Sequence, residues 1–372
     1  MTDRPVIVGA YRTPIGTAGR ALATVDAPSL AAPLLRELAA GIDREVAEVV
    51  LGNCMGPGGN VARVATLAAG LDDAVPALSV DRQCASGLAA IELGARLVAG
   101  GHWPVLAGGV ESASTAPWRY WPPVGDAAPV RYQRAPFAPR ADLDPDMGLA
   151  ADLLAEQHGV SRQRQDELAA RSHQRAWLSQ SDGVFAEEII AVGDLRVDQR
   201  PRPSMTTARL SRLPAAFREN GTVTAGNSCG INDGAAVVAL APEASGLPGL
   251  RVLGAASVGV DPRRPGIGLV PAVELALRRA GVAMADINVL EVNEAFAGQV
   301  LACYDALGVP EDFACAEGGA LALGHPWGAS GAVLMVRLFS QLMRSDSGHY
   351  GLAAIAAGGG QGTALVVERV NG

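Results

Sequence analysis

A large α/β protein built from two related halves is the architecture this sequence predicts, and three observations carry the prediction. Strand-like apolar runs alternate with stretches of helical spacing. The same order of segments returns after residue 250. The 372 residues include 45 glycines and long alanine runs but only 4% aromatics, a composition suited to elements packed closely through small side chains.

Each element follows in turn. VIVGAYRTPIG (6–16) reads as a short buried strand entering a turn, SLAAPLLRELAAGI (29–42) has helical spacing, and VAEVVLGNCM (46–55) reads as a strand. LRVLGAASVGV, AVELALRRAGV and INVLEVNEAF repeat strand, helix and strand. CASGLAAIELGARLVAGG and HPWGASGAVLMVRLFSQL each set a chemically active residue before small residues and an apolar helix. PVLAGGVES and LAAIAAGGGQG are apolar strands running into glycines, the second read as the last core strand. The first half is assigned to residues 1–115 with 231–250, the second to 251–372. Between them lies an inserted loop domain, 116–230, whose first part is rich in proline, arginine and aromatics and suits a surface excursion or lid. A helical stretch is read over about 147–180, in which Ser161 caps a second helix.

The formal charge of −8 argues against a general nucleic-acid binder. No apolar run approaches the ~20 residues that span a bilayer, so no membrane association is expected. No secretory leader is evident either. Five cysteines (Cys54, Cys84, Cys229, Cys303 and Cys315) are widely spaced without a CxxC pair, which points to free thiols, no metal site and a cytoplasmic protein.

Cys84 lies where a strand gives way to a helix. Unpaired amides and the helix dipole there favour negative charge, so a lowered thiol pKa is expected. Ala85, Ser86 and Gly87 leave room for a substrate, and the Cys84 amide is placed to donate to an oxyanion. The competing reading is a buried, inert cysteine. His325 precedes Pro326 at another helix start, where a neutral imidazole serves as a base toward a thiol. Asn293 and Glu294 end a strand; an amide there orients a water or donates to an oxyanion, or simply caps a turn. The glycines 358–362 have the wrong order for a dinucleotide loop and are read as backbone amides beside a pocket.

Taken together, these segments resemble the thiolase family over nearly the whole chain. The landmarks stand in the family's order: VIVGAYRTPIG, DRQCASGLAAIELG, AGGVESAS, MGLAADLLA, LPAAF, NGTVTAGNSCGINDGAA, VNEAFAG, GGALALGHPWGASGA and GGGQG. The resemblance implies a five-layered α/β/α/β/α fold from two duplicated halves, and a homodimer or tetramer. It implies an acyl-CoA C-acyltransferase that forms or cleaves a carbon–carbon bond through an acyl-cysteine. No cofactor is implied, coenzyme A thioesters being substrates. By position, Cys84 becomes the nucleophile and His325 its activator. Asn293 holds a water that forms one oxyanion hole with His325, and the amides of Cys84 and Gly358 form another. Met147 walls the acyl pocket, and Cys229 stands where a serine normally meets the pantetheine.

The sequence also departs from the pattern. A second, acid/base cysteine is replaced by Ala356, the histidine before the MG pair by Asp146, and two asparagines by Cys315 and Glu317. Acyl transfer to Cys84 has its nucleophile, base and oxyanion hole, but making a carbanion lacks the usual base. Several explanations stay open here: a replacement base (Cys229, or less well Glu317), a decarboxylative condensation, transfer to a non-carbon nucleophile, or an alanine introduced to trap an intermediate. A catalytically weak acyl-CoA-binding subunit is the reading from another class.

Overall fold

The computed structural model describes residues 4–372. The first half opens with β1 (Pro5–Arg12), a two-residue strand β2 (Gly16–Thr17) and α1 (Ala27–Ala40). Asp26 starts α1 by accepting from the Ser29 amide at 2.9 Å, and Leu30, Leu34, Leu35 and Leu38 form its buried stripe. Then come β3 (Glu48–Gly52), α2 (Val61–Ala68), β4 (Ala77–Val80), α3 (Ser86–Ala99) and β5 (Val105–Ser112). Every residue of β5 is buried, as befits a strand covered on both faces.

The inserted region holds a short hairpin of β6 (Arg119–Trp121) and β7 (Val130–Tyr132), then α4 (Met147–Gln157), α5 (Arg162–Ser181) and α6 (Thr207–Leu210). Ser161 caps α5, its hydroxyl accepting from the Arg164 amide at 3.2 Å. Asp146 caps α4 by accepting from the Gly148 and Leu149 amides at 2.9 and 3.1 Å. The chain returns through β8 (Asn232–Pro242), which lies antiparallel between β1 and β5.

The second half repeats the plan with β9 (Gly249–Gly259), α7 (Leu269–Ala280), β10 (Val289–Val292), α8 (Ala297–Leu307), α9 (Ala320–Leu323), α10 (Trp327–Phe339), β11 (Tyr350–Ala357) and β12 (Gln361–Val370). The first half runs β4-β3-β5-β8-β1 and the second β10-β11-β12-β9, so β9, β10, β11 and β12 occupy the places of β1, β3, β5 and β8. Among the described residues no strand stands at the place of β4 in the second half. Residues 313–315 run there instead, the Cys315 amide donating to Leu290 O at 2.9 Å. β12 corrects the sequence reading, which took LAAIAA (352–357) for the last core strand: a further strand follows and lies centrally, between β9 and β11.

Five layers result: α1 and α2, the first strand set, α3 with α10, the second strand set, then α7 and α8. The two sets join at one edge, where Val6 and Ile7 of β1 pair with Arg251 and Leu250 of β9. In the central layer α3 and α10 cross at Gly87 and Gly331. A Cβ on Gly87 would sit 2.9 Å from the Ala332 amide nitrogen, and one on Gly331 would sit 2.6 Å from that of Leu88. This close approach is why CASG and GASG recur with glycine at the same place, and it draws the starts of both helices together.

Candidate active site

Cys84 sits two residues before α3, on a sharp turn. Gln83 has φ +50°, a left-handed conformation uncommon for a side chain of its size. Local polar contacts hold it there: Ser86 Oγ donates to Gln83 O at 2.6 Å and accepts from the Arg82 amide at 2.7 Å, while the Gln83 amide donates to Asp81 Oδ1 at 2.7 Å. The amides of Gly358 and of Cys84 itself both point their hydrogens at the sulfur. Gly358 lies in the tight turn between β11 and β12, where Gly359 and Gly360 have φ +77° and +76°. Its Cα face is covered by the Phe137 ring, which a Cβ would strike.

The expected low thiol pKa is not what this environment produces. Burial pushes the Cys84 thiol up to about 11, with Glu111 and Asp81 adding repulsion; the two amides pull the other way and lose. The helix start supplies donors, but removal of water from around the sulfur outweighs them. At rest Cys84 is a neutral thiol and needs a base.

The imidazole of His325 lines the same cavity as Cys84. The residue is 2% exposed, and its backbone amide donates to Asn232 Oδ1 at 3.0 Å. Its Nδ1 lies 2.5 Å from Ser330 Oγ, and that hydroxyl donates to Pro326 O at 3.0 Å. With its one proton committed, Ser330 accepts from Nδ1–H, which leaves Nε2 with a free lone pair. Nε2 is buried and has no partner among the described residues. Burial holds the imidazole neutral by lowering its pKa to about 4.

Cys84 and His325 line one cavity of about 110 Å³, together with Met147, Cys229 and Ala356. The structure thus brings together five positions that the sequence singled out, each from a separate stretch. Asn293 is not among its lining residues. It follows β10 directly, is buried, and borders a separate cleft of about 20 Å³ that Ser330 shares, a volume that suits a single water. Glu317 is also elsewhere: it pairs with the guanidinium of Arg337, which removes it as a replacement base. Glu294 ties α5 to α9, accepting from Ser172 Oγ at 2.7 Å and the Leu321 amide at 3.2 Å.

Two supports had no weight in the sequence reading. Ser330 fixes the imidazole; its only signal was a serine one turn after Pro326. Glu111, fully buried on β5, accepts from the amides of Cys54, Met55 and Gly328 at 3.1, 3.0 and 3.0 Å. It therefore anchors the first turn of α10, three residues beyond His325, a favourable place for a carboxylate.

A thiol under two amides and a neutral imidazole lining one cavity, in a chain of two matching halves, is the arrangement that comparison with known proteins tests. The thiolase N-terminal domain model matches residues 5–244 and the thiolase C-terminal domain model residues 248–369. The chain belongs to the thiolase family. It is 44% identical to the beta-ketoadipyl-CoA thiolase of Pseudomonas aeruginosa, over 100% of both chains. It is 40% identical to the 3-oxoadipyl-CoA/3-oxo-5,6-dehydrosuberyl-CoA thiolase of Escherichia coli, over 98% of this chain and 99% of that one. Among solved structures, the acetyl-CoA acetyltransferase of Bacillus anthracis superposes with a TM-score of 0.91 at 36% identity, covering 99% of each chain. This thiolase is an acyl-CoA C-acyltransferase of the α/β class.

Proposed function

We propose that catalysis runs through an acyl group carried on Cys84. His325 Nε2 takes the thiol proton as the sulfur attacks a thioester or β-keto carbonyl. The amides of Cys84 and Gly358 receive the oxyanion that forms, and Asn293 holds, in the cleft it borders, a water that acts with His325 on the carbonyl of the second substrate. Removing one such donor costs about 3 kcal/mol in comparable sites. Met147 closes the acyl end, and coenzyme A reaches the cavity from the inserted region. The working protein is a cytoplasmic homodimer or tetramer. One observation supports the reading above others: a free imidazole lone pair and a thiol flanked by two amides share one cavity with a largely apolar lining.

The test is to incubate the protein with acetyl-CoA, weigh it intact and map the adduct. An acetyl group on Cys84 supports the proposal. Its absence, with coenzyme A still bound, favours a binding subunit. A second reading draws on Ala356, whose methyl lines the cavity and transfers no proton: a decarboxylative condensation, in which loss of CO2 replaces the base, would make product from acetyl-CoA with malonyl-CoA but not from acetyl-CoA alone.

A further inference from the structure

Carbon–carbon cleavage requires two proton-transferring groups at the site, one for the nucleophile and one for the carbanion that departs. Of the side chains lining the Cys84 cavity, only Cys84, His325 and Cys229 titrate. His325 is committed to Cys84. We infer that Cys229 is the catalytic acid/base of the carbon–carbon step and that Arg200 is its positioning partner; the inference rests on the acyl-Cys84 reading above.

The geometry holds Cys229 in place. Its amide donates to Ala295 O at 2.9 Å, and its neighbour Ser228 bridges to Phe296, so both flanks are pinned to the turn leading into α8. The next residue, Gly230, carries the Arg200 guanidinium against its Cα; any side chain there would overlap it. Among the described residues no carboxylate pairs with Arg200, and its Nε is buried without a partner. An unpaired cation is therefore parked beside a thiol inside a shielded site. Burial pushes that thiol up to about 12, with Cys84 repelling its charged form and Arg200 opposing. Cys229 begins each cycle protonated, the form an acid requires.

The protons and bonds balance in the cleavage direction. Cys84 gives its proton to His325 and attacks the β-keto carbon. The bond between the α and β carbons breaks, and the α carbanion takes the Cys229 proton, releasing acetyl-CoA and leaving the shortened acyl group on Cys84. Cys229 is now a thiolate facing Arg200. Coenzyme A enters, gives its thiol proton to Cys229 and attacks the acyl carbon; the bond to Cys84 breaks, and that sulfur recovers its proton from the His325 imidazolium. Condensation is the reverse, with the Cys229 thiolate removing the α proton.

The experiment separates the two half-reactions. In Cys229→Ala and the near-isosteric Cys229→Ser, acylation of Cys84 by acetyl-CoA, followed by intact mass, stays within about threefold of the parent, whereas acetoacetyl-CoA thiolysis falls by about a hundredfold or more. Exchange of the acetyl-CoA methyl protons into D2O, followed by NMR, falls with it. Adding Ala356→Cys to Cys229→Ala restores thiolysis by returning a thiol to the same cavity. The parental exchange rate rises with pH as Cys229 ionises under the influence of Cys84, Arg200 and Glu294, with His325 on the same cavity. Arg200→Gln moves that rise to higher pH and Arg200→Lys moves it less, which a merely structural arginine would not do. Thiolysis that survives Cys229→Ala overturns the inference, and so does a loss of acylation equal to the loss of thiolysis. A parent that never acylates Cys84 overturns the acyl-enzyme reading itself.

Discussion

The resting state of Cys84 is open to a direct titration. Alkylation by iodoacetamide requires the thiolate, so its rate against pH reports the pKa of the attacking sulfur. Burial places Cys84 at about 11 against an ordinary 9.0. At about pH 8 that leaves roughly one molecule in a thousand as thiolate rather than one in ten, a difference of about 2.7 kcal/mol in favour of the thiol. Rapid-quench labelling with peptide mapping of Cys84 should show a rate that climbs about tenfold per pH unit to beyond pH 10, without a plateau near neutrality. Gly358→Ala perturbs the balance further. The new methyl meets the Phe137 ring, the turn shifts, and one donor to the sulfur is weakened, so the curve moves to still higher pH. A plateau between about pH 6 and 8 that disappears in His325→Ala would mean a thiolate–imidazolium pair. That result would refute the argument that desolvation outweighs the two amides.

Three further outcomes follow from the same geometry. Cys84→Ser should abolish nearly all adduct formation with acetyl-CoA by intact mass, and an adduct appearing at the parental rate would remove Cys84 from its role. Ser330→Ala leaves a buried Nδ1–H without its acceptor at a cost of about 1–2 kcal/mol, so the acylation rate should drop by roughly 5–30-fold in stopped flow with little change in KM; an unchanged rate would mean that something else sets the tautomer. On the stability side, His325 and His173 are both held at about 4 by burial, with Arg200 and Arg202 adding to the effect at His173. Protons therefore bind the unfolded chain first, and stability present above the ordinary histidine value of 6.5 is lost as pH falls toward 4, by up to about 3 kcal/mol per histidine. Urea unfolding midpoints should fall over that window, and replacing His173 by Asn should flatten the decline.

Local pattern carried much of the architecture. The helices after Cys84 and His325 were legible because each start is marked by small residues and then an unbroken apolar face. Ser161 was legible because its hydroxyl needs only the next turn to find an amide. What failed to show depended on distant partners. β12 earns its central position from β9, about a hundred residues earlier in the chain, whereas the glycines before it look locally like an end. Gly358 could be read as an amide beside a pocket, but not that Phe137 covers it. The Cys84 pKa shows the same limit sharply. A helix start argues locally for a lower value, while the buried surroundings of the sulfur, assembled from both halves and the inserted region, argue for a higher one and prevail.

The desolvation of the three titrating groups has a consequence for the order of events. Cys84, Cys229 and His325 are all pushed toward their uncharged forms, by burial in each case. An empty site thus holds no charge on these three groups, and neither sulfur stands open to oxidation as a thiolate. Charge arises only when a carbonyl reaches the two amides, because the oxyanion formed there offsets the cost of making the imidazolium. Proton transfer and attack must then be coupled, and substrates that cannot present a carbonyl to those amides should leave Cys84 inert. A coenzyme A thioether of the same length tests this: it should bind without changing the pH profile of Cys84 alkylation, apart from simple occlusion. Were the thioether alone to bring Cys84 into its thiolate form near neutral pH, filling of the cavity rather than oxyanion formation would be the trigger.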